Sequence, residues 1–129
     1  MTATAPPDYH PLPIVPDEGF PQSFRLAFAE RMYVIALYVN VSERLLATLP
    51  VDAMLELPQD EAFMVARIER ESERPAPERV FQRKVVPGLD YAAGELALRF
   101  DELRVARRNL NAPGPHGSRV SGGVALAWP

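Results

Sequence analysis

Apolar and polar residues alternate along much of this chain, most densely over residues 23–41, SFRLAFAERMYVIALYVNV. Phe24, Leu26 and Phe28 share one side of a two-residue period, with Arg25 and Ala27 on the other. After a polar break at Glu30 and Arg31, Tyr33, Ile35, Leu37 and Val39 take one side and Met32, Val34, Ala36 and Tyr38 the other. The pattern predicts two strands joined by a tight reversal, the second buried on both faces. A helical reading competes, because Ala27, Ala29, Glu30, Arg31 and Met32 are good helix formers and Ser23 is a candidate cap. It fails over residues 33–41, where Tyr, Val and Ile crowd together and a helix would be apolar around nearly its whole girth.

The same reading extends along the chain. Ser42 is placed to cap a short helix in SERLLATL, and Pro50 and Pro58 bracket VDAMLEL, a short strand. Residues 62–71, AFMVARIERE, read as a strand with Met64, Ala66 and Ile68 on one side. Two prolines make residues 72–78 a loop, and residues 79–86 resume extended character. Pro87-Gly88 is a turn pair that wants glycine at positive φ. Residues 95–100 alternate again through Leu96, Leu98 and Phe100. Residues 101–110 stay open between a helix (Leu103, Ala106 and Leu110 behind a cap at Asp101) and a strand (Leu103 and Val105). The Gly, Pro and Ser content of residues 111–123 predicts a loop, and residues 124–128 a short terminal strand docking Trp128. The expected fold is mainly β: a small antiparallel β-barrel or sandwich with at most one or two short helices.

Fourteen prolines in 129 residues favour short elements over long helices, and 47% hydrophobic residues suffice for a core. Six of those prolines fall in residues 1–22, which are expected to form an extended arm ahead of a single domain, residues 23–129. Leu12, Ile14, Val15 and Phe20, with Tyr9, are apolar handles that a solvated tail would not need, so the arm is expected to lie along a neighbouring subunit. No apolar run approaches the ~20 residues of a membrane helix, and the first residues lack a signal's basic start and apolar stretch. A cytoplasmic product is therefore expected. Residues 1–78 carry 6 Arg against 13 acidic residues, whereas residues 79–129 carry 8 basic residues against 4 acidic ones. The basic group Arg104, Arg107, Arg108 and Arg119, with Arg99, is expected to face a partner subunit. It lacks the aromatic interleaving and helix-turn-helix pattern of a nucleic-acid reader.

Candidate chemistry is sparse. The chain has no cysteine, hence no disulfide, thiolate metal site or cysteine nucleophile, and its two histidines, His10 and His116, are too few for a structural zinc site. His116 with Ser118 or Ser121 would need an orienting carboxylate, and neither serine sits in a nucleophile elbow. The adjacent acids Asp60/Glu61 and Asp101/Glu102 would point opposite ways on a strand and read as surface charge rather than a glycosidase pair. GSRVSGG, residues 117–123, lacks P-loop spacing. We expect no catalytic residue, metal or cofactor.

Three stretches carry a resemblance to a known family. PLPIVPDEGFPQSFRLAF (residues 11–28) is a Pro-flanked apolar lead-in to a first strand. RMYVIALYVN (residues 31–40) is an aromatic followed by alternating aliphatics, and RVFQRKVVPGLDYAAGELAL (residues 79–98) is a strand, a Pro/Gly turn and an apolar-x-Gly piece. Their order resembles the small baseplate plug proteins of phage tails and related contractile systems. Residues 42–60 read as an insertion relative to that pattern, and residues 99–123 are longer and more Arg-rich. The resemblance implies a compact antiparallel β fold at the baseplate or tube end of a virion tail, made in the host cytoplasm. It also implies contacts with hub or tube subunits, homo-oligomers within the assembly, and no enzymatic activity. The alternative is a free-standing β-barrel module that binds a small ligand or oligosaccharide.

Overall fold

A computed structural model describes residues 8–72 and 75–127. The predicted reversal is present: β2 (Gln22–Phe28) and β3 (Arg31–Val41) pair antiparallel from Phe28↔Arg31 to Gln22↔Leu37. Ala29 and Glu30 form the two-residue connection, with φ of 52° and 64°. Positive φ at both positions is what a type I′ turn demands, and its backbone twist matches that of the flanking strands.

Two antiparallel sheets pack face to face. In one, β2 and β3 are followed by β5 (Ala62–Arg70) and β6 (Glu78–Val85), in the order β2-β3-β5-β6. In the other, β1 (His10–Pro11), β9 (Arg119–Leu126) and β8 (Leu96–Ala106) run side by side. The far side of β8 is shared by β7 (Asp90–Ala93) near its start and β4 (Met54–Glu56) near its end. The fold is thus a mainly β sandwich. One short helix, α1 (Glu43–Thr48), follows Ser42, whose side chain accepts from the Leu45 N–H as the sequence predicts. The core lies between the facing rows: Tyr33, Ile35, Leu37, Met64, Ala66 and Ile68 from one sheet, Leu96, Leu98, Phe100, Leu103, Val105 and Val124 from the other.

Several expectations need correction. β3 is not buried on both faces. Tyr33, Ile35 and Leu37 of its inner row are fully buried and Val39 is half-buried, but Met32, Val34, Ala36 and Tyr38 on the other side are also only half-buried. No second layer covers them among the described residues. Long polar side chains shield them instead: Arg25 on β2 reaches Glu71 beyond β5 at 2.9 Å, spanning β3, and Gln82 on β6 reaches the Tyr38 hydroxyl at 3.2 Å. Residues 101–110 resolve as strand to Ala106 and a 3-10 turn, Arg107–Asn109. Residues 111–123 are not loop throughout, because β9 begins at Arg119 and pairs with β8 from Arg104↔Arg119 to Leu96↔Leu126. Strand β7 has no counterpart in the sequence reading. The docking of Trp128 lies outside the described residues.

The leader also departs from the extended, neighbour-bound arm. Over residues 8–22 it packs on its own sandwich. β1 pairs with β9, and the Leu12 N–H donates to the Gly122 carbonyl at 2.9 Å. Pro16–Glu18 is a 3-10 turn. Leu12 and Phe20 are 7% and 2% exposed, inside the core of their own chain. Burying two large apolar side chains in cis already supplies about 3–5 kcal/mol, so the boundary expected at residue 22 does not mark off a detached segment over these residues.

Candidate docking surface

The end of the sandwich where β8 runs out is built around one buried amide. Asn109 is fully buried. Its Nδ2 donates to the carbonyls of Ala112 and Gly114 at 3.3 and 3.0 Å, and its Oδ1 accepts from the Ser118 hydroxyl at 2.6 Å. Ser118 Oγ in turn accepts from the Ala106 N–H at 2.7 Å. The Asn109 carbonyl accepts from the Phe20 N–H at 2.9 Å. Asn109 therefore ties together the turn after β8, the loop of residues 110–118 and the leader. The Ser118 hydroxyl is engaged in this clip rather than with His116, so no Ser-His pair forms there.

Two adjoining clefts open beside this clip. One, about 260 Å3, is lined by Leu46, Val51, Arg107, Arg108, Leu110 and Asn111. The other, about 210 Å3, is lined by Val51, Asp52, Ala106, Arg108 and His116. They share Val51 and Arg108. Val51 is 55% exposed, an uncovered aliphatic side chain at the centre of the surface. Arg107 Nη2 donates to the Leu46 carbonyl at 3.4 Å and Arg108 is exposed.

The partner-facing residues expected from sequence separate into three groups. Leu12 and Phe20 are core residues and are corrected to structural roles, whereas Ile14 packs half-buried against the core. Arg104 and Arg119 lie beside each other on the outer face of β8 and β9, each with a carboxylate of the same chain at 3.2 Å: Glu56 for Arg104 and Glu102 for Arg119. Val15, Arg107 and Arg108 are brought to one end of the molecule, where the two 3-10 turns lie against each other. Among the described residues no carboxylate lies within ion-pair distance of Arg107 or Arg108. The sequence reading missed Leu46, Val51, Leu110 and Asn111, whose only signal is an aliphatic residue just after Pro50 and another closing the basic run.

The strongest electrostatic constellation joins the two sheets elsewhere. Arg70 on β5 forks onto Glu95 at 2.7 and 2.8 Å and reaches Glu78 at 2.9 Å, while the Tyr33 hydroxyl donates to Glu95. Burial alone would raise the Glu95 pKa. The Tyr33 hydroxyl, a backbone N–H and the Arg70 guanidinium outweigh it and hold the carboxyl down to about 2. Burial, followed by the same hydrogen bond, pushes Tyr33 up to about 12. Because the folded pKa of Glu95 lies below its unfolded value, this bond set stabilises the fold above about pH 4.5 and is lost as pH falls towards 2. A side chain one-third exposed is partly screened, so we expect a loss of about 2 kcal/mol across that window. Urea unfolding at pH 7 and pH 2.5 checks this: Glu95→Gln should start about 2 kcal/mol below wild type at pH 7 and converge with it in acid.

Compared with protein-family models, curated proteins and solved structures, the chain matches none.

Proposed function

We propose that this protein is a docking component of a multiprotein particle. On the resemblance carried by residues 11–28, 31–40 and 79–98, that particle is a phage tail or tail-like machine, with the chain at the baseplate or tube end against hub or tube subunits. The observation that supports docking is the open edge of β2. This strand of seven residues pairs only with β3 among the described residues. The closing pair Phe28↔Arg31 fixes the ladder, so Gln22, Phe24, Leu26 and Phe28 turn their backbone groups to β3. The N–H and C=O groups of Ser23, Arg25 and Ala27 point outward, a template for an added strand. The half-buried row Met32, Val34, Ala36 and Tyr38 lies beside that edge, partly covered by Arg25 and Gln82. The clefts at the other surface are lined by aliphatic and arginine side chains with Asp52, Asn111 and His116 and carry no Trp, Tyr or Phe for a sugar ring to stack on, which favours a protein partner over a sugar.

Arg25→Pro tests this. Proline removes an outward N–H that the fold does not use, and the exposed Arg25–Glu71 pair contributes under about 1 kcal/mol. The variant should keep a wild-type melting curve yet drop out of purified tail particles when co-expressed with the tube and hub genes. Incorporation at the wild-type ratio would count against edge docking. Absence of the wild-type chain from such particles would count against the tail role itself.

A further inference from the structure

Next to the Arg107/Arg108 cleft stands a small, rigid protrusion of opposite character. Residues 15–18 expose Val15, Asp17 and Glu18, an aliphatic side chain (46% exposed) followed by two carboxylates. The Gln22 side chain pins this knob at both ends. Its Oε1 accepts from the Val15 N–H at 3.2 Å, and its Nε2 donates to the carbonyls of Val15 and Gly19, both at 2.9 Å. The Glu18 N–H closes the turn onto the Val15 carbonyl at 3.0 Å, and the Gly114 N–H donates to the Asp17 carbonyl at 2.7 Å. The knob is therefore held in shape before any partner arrives, which lowers the ordering cost of binding.

The cleft offers complementary chemistry: its lining combines the aliphatic side chains of Leu46, Val51 and Leu110 with the guanidinium groups of Arg107 and Arg108, and Asp52 lines the adjoining cleft. Asp17 and Glu18 form no ion pair within the chain among the described residues, and neither do Arg107 and Arg108, although the two 3-10 turns touch. The other arginines of this region, Arg99, Arg104 and Arg119, are all paired internally. A knob and a matching cleft side by side on one face suit a two-fold contact, in which each copy supplies both halves. We propose that two copies of this chain pair about such an axis, the knob of residues 15–18 of each seated in the Val51/Arg107/Arg108 cleft of the other. Aliphatic contacts across the axis exclude water from two sets of opposite charges, which fix orientation and favour this pairing over others. The contact uses a different surface from the β2 edge and stands or falls independently of the tail role.

Two charge-reversed variants of the full chain test it by sedimentation equilibrium. Wild type should sediment at twice the 14.4 kDa chain mass at sub-millimolar concentration, and its dimer should weaken about tenfold between 50 and 500 mM NaCl. Arg107→Glu/Arg108→Glu and Asp17→Arg/Glu18→Arg should each be monomeric, because like charges then meet on both sides of the axis. Mixed in equal amounts they should form a heterodimer, since each reversed surface meets its complement. If the half-buried Arg107 position upsets folding, Arg108→Glu alone takes its place, and circular dichroism confirms a native spectrum. A wild type that stays monomeric at 1 mM, a variant that still dimerises alone, or a mixture of folded variants that stays monomeric would each overturn the proposal.

Discussion

Asn109→Asp should cost the fold about 4 kcal/mol or more at pH 7. The side chain is fully enclosed, and its amide nitrogen donates to two backbone carbonyls. A carboxylate there sets negative oxygen against the Ala112 and Gly114 carbonyl oxygens, with no cation nearby in the bonding pattern to neutralise it. The fold relieves this only by taking up a proton, which raises the folded pKa above the unfolded value. The deficit should therefore be largest at neutral pH, shrink as pH falls through the raised folded pKa, and be recovered by about pH 4, opposite in sign to the behaviour of Glu95. Denaturant midpoints of wild type and variant at pH 7 and pH 4 measure both the loss and its recovery. Ser118 shares the clip and still donates to the oxygen that Asp retains, so the two residues are coupled and should not behave additively.

Gly19→Ala is the second large effect, about 3–5 kcal/mol and a fall of about 10 °C or more in Tm. Gly19 adopts φ 81° and ψ 178°, a conformation essentially reserved for glycine. A Cβ there would sit 2.2 Å from the Ala112 carbonyl oxygen and 2.8 Å from its carbon. Both are backbone atoms, so the clash cannot be relieved by turning a side chain. Gly88 separates the two causes: it has φ 83°, but a Cβ there meets nothing within 4 Å. Gly88→Ala should cost only about 1 kcal/mol, and the difference between the two alanine variants, read by thermal denaturation, isolates the close approach at Gly19.

The strands that alternate cleanly are legible in the sequence because a two-residue period fits a half-buried strand and little else. Residues 24–39, the capped helix at Ser42, and Met64, Ala66 and Ile68 all lie where the pattern puts them. β9 is hidden by its glycines. Gly122 and Gly123 read as loop, yet they sit mid-strand because side chains there would collide. A Cβ on Gly122 would lie 2.8 Å from the Arg99 carbonyl oxygen, and one on Gly123 would lie 2.8 Å from Tyr9 Cβ. β7 is hidden because Ala92 and Ala93 have little strand preference of their own and are ordered by pairing with Ala97 and Leu96. Apolar handles in the leader are visible, but nothing in the sequence says whose core receives them. For Leu12 and Phe20 it is the core of their own chain. The basic run from Arg104 to Arg119 is also visible. Which of its members keep a free charge depends on Glu56 and Glu102, which strand register alone brings alongside.

Residue-resolved amide hydrogen exchange on the free chain asks directly whether β2 offers an unpaired edge to a partner. An open edge predicts alternation along the strand. The N–H groups of Phe24, Leu26 and Phe28 should be protected by β3, while those of Ser23, Arg25 and Ala27 exchange close to unprotected rates and become slow only in the assembled particle. Equal protection at both sets of residues in the free chain would mean that the edge is already closed, and would contradict docking through it.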